Sequence, residues 1–287
     1  MDLILTNDRT TQLIKWIETA CLWEAEAPKA GNVHPQASFV DLTYNDFVRS
    51  ARVTAFMLSR IDQRGISKSI LDAVKTVKLQ IGKNTNLGIV LLIAPLAAAS
   101  RHGAIQDQIA QQIDELNVAD SRLIYEAIRT AKPGGMGTTS EQDLSAEPTE
   151  AVREIMSLAA DRDLIAQQYT NNFADVLGFG RDRLKTWWER CPQDRNQAIV
   201  GLHLDWMANY PDSLIARKCG QEIANESSAR AKQVLDLNWP ETVESQEEFA
   251  ELDAWLRDDG HRKNPGTSAD LVAATLFVGL CEGLISC

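Results

Sequence analysis

The 287-residue sequence predicts an all-α fold, a single globular domain of ten or more helices spanning 1–287. Three observations carry this expectation. Apolar residues recur at helical rather than alternating spacing along most of the chain. No two stretches of alternating or β-branched residues are available to pair as even a small sheet. Connections between the periodic segments are short, and no unit recurs at a fixed period, which disfavours a solenoid.

The first element is an amphipathic helix over 11–28, with Leu13, Ile17, Ala20, Cys21 and Ala27 at helical spacings, Thr10 or Thr11 as its cap and Pro28 as its stop. The next segment, "PKAGNVHPQASF", breaks the period with two prolines and a glycine and is a loop. Helical spacing resumes at about 44–62, 67–80, 86–103, 104–114 and 119–131. Residues 132–149, "KPGGMGTTSEQDLSAEPT", form the long irregular stretch, rich in Gly, Pro, Ser and Thr, and are a candidate flexible or lid-like segment. Further helical patterns follow at 149–177, 181–190, 194–209, 212–235, 245–259 and 268–284.

The composition, 44% hydrophobic and 24% charged, is that of a soluble globular protein able to bury a sizeable core. A formal net charge of −11 argues against nucleic acid and anionic membrane as partners, because both are polyanions that bind basic surfaces. It leaves room for a polyphosphate in a small basic pocket. The five cysteines are scattered and form no C-x-x-C pair, which signals neither a disulfide framework nor a zinc site and suits a reducing cytoplasm. No apolar run is long enough to span a bilayer, and the N-terminus lacks the pattern of an export signal.

Generic catalytic signatures are missing: there is no phosphate-binding G-x-x-x-x-G-K-[ST] loop, no G-x-G-x-x-G, no H-E-x-x-H and no G-x-S-x-G. The four histidines lie far apart in sequence. What remains is a set of polar clusters at helix ends: "EAEAPKAGNVHP" with Glu24, Lys29, Asn32 and His34; "GKNTNLG" with Lys83, Asn84, Thr85 and Asn86; "YPDSLIARKCG" with Arg217 and Lys218; and "NPGTSADLVAATLF" with Asp270. A polar turn feeding a buried helix can present free N–H groups to an anion. Each cluster also has a bland reading. The "NTN" turn is an ordinary Asn cap. Arg217 and Lys218 project about 100° apart on a helix, so one of them would reach a common pocket, and the pair reads equally as a solvated basic face. Thr267 and Asp270 together make the T-x-x-D form of a capping box. The seven tryptophans, including the pair Trp187 and Trp188, suit either an interface or core packing.

Taken in order, these clusters resemble the triphosphoribosyl-dephospho-CoA synthase family of all-helical enzymes. The likeness runs through "APKAGNVHP", "DLTYNDFVRSA" with Asp41, Phe47, Ser50 and Ala51, then "NTNLG", "DSLIARKCG" and "NPGTSADLVAATLF", the last two being the most specific. The departures mark the chain as a divergent member. Where the family reads N-T-H-K-G this chain has Asn86 and Leu87, Ala30 replaces a proline, and His34 stands where an acid is usual. Lys29, Lys83, Arg217 or Lys218 are the residues available to compensate for the missing cation.

The resemblance implies a transferase that moves the triphosphoribosyl group of ATP to 3′-dephospho-CoA and releases adenine, with ATP as substrate and Mg2+ on the triphosphate. It implies Asp270 and Asp41 as catalytic carboxylates around an oxocarbenium-like transition state. Lys29, Asn84, Thr85, Asn86, Arg217, Asn264, Gly266 and Ser268 would bind nucleotide and phosphate, with the helix N-termini after "KNTN" and "NPGTS"; Glu24 and Asp41 would hold the metal. Small-molecule nucleotides are the implied partners, with a homodimer as a possible assembly. Two other readings stay open: a related enzyme acting on a different phosphorylated nucleotide or pterin-type substrate, and a non-catalytic helical binding protein.

Overall fold

The structure, a computed structural model, describes residues 2–133 and 144–287, with side chains from Arg9 onward. Among these residues there are fifteen α-helices and no strand. The first seven are α1 (Asp2–Glu26), α2 (Tyr44–Leu58), α3 (Ile61–Arg64), α4 (Ile66–Ile81), α5 (Leu87–Ser100), α6 (Ile105–Asp114) and α7 (Val118–Ala131). Two short helices follow, α8 (Val152–Ser157) and α9 (Leu164–Thr170), and a π-helical turn at Val176–Gly180 leads into α10 (Arg181–Arg190). The chain ends with α11 (Arg195–Asn209), α12 (Ser213–Cys219), α13 (Gln221–Asp236), α14 (Val243–Arg257) and α15 (Gly266–Cys281).

Two helices form the centre. In α5 every residue but the terminal Ser100 is buried, and in α15 the buried run from Thr267 to Leu280 is interrupted only by Asp270. A helix that is apolar all round belongs inside a core, and these two pack against each other. Layers on either side close the core, with α1, α2, α4 and α7 packing in succession on one side and α10, α11, α13 and α14 on the other. No single helix among the described residues is long and apolar enough to cross a membrane; α5 and α6 pass that test as a pair but meet at 114°.

The expected helices are present with several adjustments, among them a break of the 44–62 pattern into α2 and α3. The pattern over 149–177 is two short helices rather than one, because Asp163 starts α9 afresh by accepting hydrogen bonds from the backbone N–H groups of Ile165 (2.9 Å) and Ala166 (3.2 Å). The pattern over 212–235 breaks at Gly220, whose φ of 96° a side chain rarely adopts. The first helix runs from Asp2, so Thr10 and Thr11 lie inside it and cap nothing. The tryptophan pair serves packing: Trp187 is buried over Gly201, where an added Cβ would stand 2.4 Å from its ring, and Trp188 stacks on Trp23 at 5.7 Å.

Candidate active site

One cleft of about 670 Å³ opens where the ends of α1, α5, α7, α9, α12 and α15 converge. That volume is in the range of small-molecule sites. Of the residues expected to act, Glu24, Asp41, Asn84, Thr85, Asn86, Arg217, Asn264, Gly266 and Asp270 all line it. Lys29 and Ser268 do not. The expected lid-like segment 132–149 lies outside the described residues at 134–143, while its flanks Lys132, Pro133 and Leu144 line the cleft.

Asp270 is not a cap. Helix α15 begins at Gly266, two residues before the expected start, so Thr267 is inside the helix and its hydroxyl accepts a hydrogen bond from Ser213 Oγ at 3.0 Å. The capping task is done from another segment. Asp212 accepts from the N–H groups of Leu214 (2.8 Å) and Ile215 (3.0 Å) at the start of α12, and its other oxygen accepts from Ser268 N (2.7 Å) and Ser268 Oγ (2.9 Å) at the start of α15. One buried carboxylate thus caps two helices, which explains why Ser268 is withdrawn from the cleft. It satisfies the Ser268 N–H at the α15 N-terminus and leaves Gly266 and Thr267 on the cleft wall.

Freed from capping, the Asp270 carboxyl stands in the cleft wall. It crosses directly over the start of α5: a Cβ on Gly88 would lie 1.9 Å from Asp270 Oδ2. The glycine of "NTNLG" is therefore the residue that makes room for the aspartate of "TSAD". Burial holds the Asp270 carboxyl well above the usual carboxylate range, reinforced by the negative charges of Glu24, Asp212 and Asp163 and opposed by Arg217. Arg217 in turn pairs with Asp163 at 2.9 Å.

The loop after α1 is pinned to the loop before α15. Asn264 donates to the carbonyl of Gly31 (3.0 Å) and to Asn32 Oδ1 (3.1 Å), and Arg257 donates to the carbonyl of Asn32 at 2.6 Å. Asn32 also meets the buried His203 at 3.3 Å, and burial keeps that imidazole neutral by pushing its pKa far down, with the charge of Lys29 adding to the effect. Gly31 has φ 70° and no space for a Cβ, which would touch Leu256 and Pro265 within 2.9 Å. Lys29 is wholly buried behind this loop, its ammonium paired with Glu24 Oε1 at 2.9 Å and donating to the Glu24 carbonyl. It holds Glu24 in place and does not face the cleft itself.

Six basic side chains line the cleft: Lys78, Lys83, Lys132, Arg162, Arg217 and Lys218. Both members of the adjacent pair Arg217 and Lys218 reach it, contrary to expectation, because they occupy the last turn of a seven-residue helix that ends at the cleft. Burial lowers the Lys218 pKa, and Arg217 beside it lowers it further. Lys83 pairs with Asp46 at 3.0 Å. Against these, among the described residues, stand four carboxylates, Glu24, Asp41, Asp163 and Asp270.

The model of the family described as ATP:dephospho-CoA triphosphoribosyl transferase matches residues 10–286. The chain belongs to this family. It is a triphosphoribosyl transferase that takes its transferred group from ATP and delivers it to dephospho-CoA, releasing adenine. In fold it is similar to the crystal structure of a proposed triphosphoribosyl-dephospho-CoA synthase from Archaeoglobus fulgidus, at 24% identity and a TM-score of 0.65, covering 83% of this chain and 100% of that one. Comparison with curated proteins finds none that matches.

The departures from the transferase pattern can now be placed. Asn86 is buried and donates its amide to Thr54 Oγ1 at 2.7 Å, and Leu87 is buried beside it. Leu87, where the resemblance leads one to expect a lysine, is apolar, and the positive charge of the cleft comes from neighbouring segments. Lys78, Lys132 and Arg162 carried no sequence signal, since each is a lone basic residue in a helix end or turn. Asp163 carried one: an acid ahead of "LIA" is an N-cap pattern. Asp41 sits at the cleft rim with its side chain 67% exposed, 3.9 Å from His261 Nδ1. The negative charge of Glu24 acts on Asp270.

Proposed function

We propose that this cleft carries the transfer, with Asp270 as general base toward the acceptor hydroxyl and the ring of basic side chains as the triphosphate seat. The observation that supports it is the setting of Asp270: a carboxyl that burial shifts above the usual carboxylate range, facing a cleft lined by cations, in a helix otherwise buried. A general base works best when its pKa approaches the working pH. Asp270 takes the proton of the 2′-hydroxyl of dephospho-CoA as that oxygen bonds to C1′ of ATP. The C1′–N9 bond breaks, its electron pair leaves on N9 of adenine, which takes up a proton from water, and Asp270 later returns the abstracted proton to solvent. Arg217, Lys218 and Lys83 hold the triphosphate, which stays on the transferred ribose.

Among the described residues no group of three acidic, histidine or cysteine side chains is disposed to bind a metal. That suits magnesium, which commonly takes one or two carboxylates, several waters and the substrate phosphates rather than a protein cage. Glu24, with one oxygen on Lys29, is the residue that would hold it, and the ion would supply charge neutralisation on the triphosphate. All five cysteines are free, in keeping with a cytoplasmic enzyme.

The test is purified protein with ATP, magnesium and dephospho-CoA, followed by chromatography for free adenine. Adenine is expected from the native enzyme and little from Asp270→Asn. Adenine at undiminished rate from the variant would remove Asp270 from the chemistry; none from the native enzyme would redirect the search to another acceptor.

A further inference from the structure

The cleft has three chemically distinct parts. One carries the cations already described. A second is apolar, formed by Leu91 on α5, Ile124 and Ile128 on α7, and Ile155 and Met156 on α8. The third lies at the rim, where Phe39 and His261 stack at 4.9 Å with their planes 26° apart and Asp41 stands beside the imidazole.

The geometry points to this rim cluster, Phe39, His261 and Asp41, as the seat of the purine base of ATP, with Asp41 reading its 6-amino group. The inference rests on the transferase reading above and adds to it the part of the cleft that selects the base. Adenine presents a flat π face and an exocyclic amine. The rim offers stacked rings to extend and an acceptor-only carboxylate beside them. Among the described residues the apolar part is mainly hydrocarbon and carries no carboxylate, and the cationic part offers donors that suit phosphate rather than an amine.

Position supports the same assignment. Adenine is the group that leaves while triphosphate and acceptor remain joined, so it needs the most direct way out. Phe39 and Asp41 belong to the loop between α1 and α2, next to the fully exposed Val40. His261 is half-exposed on the turn before α15. The charge of Asp41 also acts on Lys218, one of the phosphate-seat cations, which ties the base end of the nucleotide to its triphosphate end.

A carboxylate that accepts from an amine repels the 6-oxo group of a hypoxanthine or guanine ring. A hydrogen bond to a charged group corresponds to about tenfold to a hundredfold in affinity. The experiment compares ATP with ITP, which differs at that position, by calorimetric binding and by turnover. The native enzyme is expected to favour ATP by at least about tenfold, Asp41→Asn to lose most of that preference, and Phe39→Ala to weaken both nucleotides alike. ITP bound as well as ATP by the native enzyme, or full preference kept by Asp41→Asn, would overturn the assignment. Binding reads the base seat even without turnover: discrimination with no free adenine would remove the transferase roles and keep the seat, whereas turnover without discrimination would do the reverse.

Discussion

At the scale of single residues, the site turns on a carboxyl that the fold keeps in an uncomfortable place. The Asp270 pKa is raised chiefly by burial. Its folded value exceeds its unfolded one, so its contribution to stability is present at acid pH and lost as pH rises through the raised value. Asp270→Asn is therefore expected to melt higher than the native protein near neutral pH, with the gain disappearing in acid, as thermal melts across pH would read. The activity moves the other way. A base must be ionised, so the native rate climbs as pH rises through the raised Asp270 value, and Asp270→Asn loses that limb and about a hundredfold or more in kcat. A variant that is both less stable and active would contradict this account twice. Gly88 sharpens the point, because its missing side chain is the room Asp270 occupies. Gly88→Ala would force the carboxylate or the Ile165 side chain aside, costing about 1–3 kcal/mol in stability and most of the activity. Denaturant melts and the adenine assay check the two halves separately.

At the scale of elements, Asp212 is the joint on which α12 and α15 depend. Its two oxygens serve four donors, so Asp212→Ala removes two caps and strands the buried N–H and hydroxyl of Ser268. Each cap is worth about 1 kcal/mol and an orphaned buried donor about 1–3 kcal/mol, giving an expected loss of about 3 kcal/mol by denaturant unfolding. A loss under about 1 kcal/mol would mean that water or another side chain replaces it. The same joint shows what the sequence could and could not tell. Helix existence was legible throughout, since periodicity reports which face of each segment is buried. The capping box at Thr267 and Asp270 was a sound local reading, yet it failed because the cap came from a residue 56 positions earlier. Local pattern cannot weigh a competitor supplied by tertiary contact. The cleft was half legible for the same reason: motif segments announced Asp270, Arg217 and Asn264, whereas Lys78, Arg162 and Phe39 reach the site only through how the helices pack. The burial of Lys29 behind Glu24 was hidden too, because a lysine in a loop reads as exposed until the loop is folded over it.

At the scale of the whole molecule, the enzyme sets a basic cleft in an acidic body. The chain carries a net charge of −11, while among the described residues six basic side chains line the cleft against four carboxylates. A triphosphate approaching from a distance meets repulsion from the body, and only inside the cleft does attraction take over. Salt separates the two, because screening acts first on the longer-range field: the Debye length is about 30 Å at 0.01 M ionic strength, about 10 Å at 0.1 M and about 3 Å at 1 M. The kcat/KM for ATP is therefore expected to rise between about 0.01 M and 0.1 M as the repulsion of the body is screened, then to fall toward 1 M as the contacts within the cleft weaken. Arg217→Gln combined with Lys218→Gln should lower the whole curve and flatten its descending side, leaving the ascending side in place. A monotonic fall from the lowest salt would show instead that the cleft dominates the field at every distance, and that the acidic surface has no part in how substrate arrives.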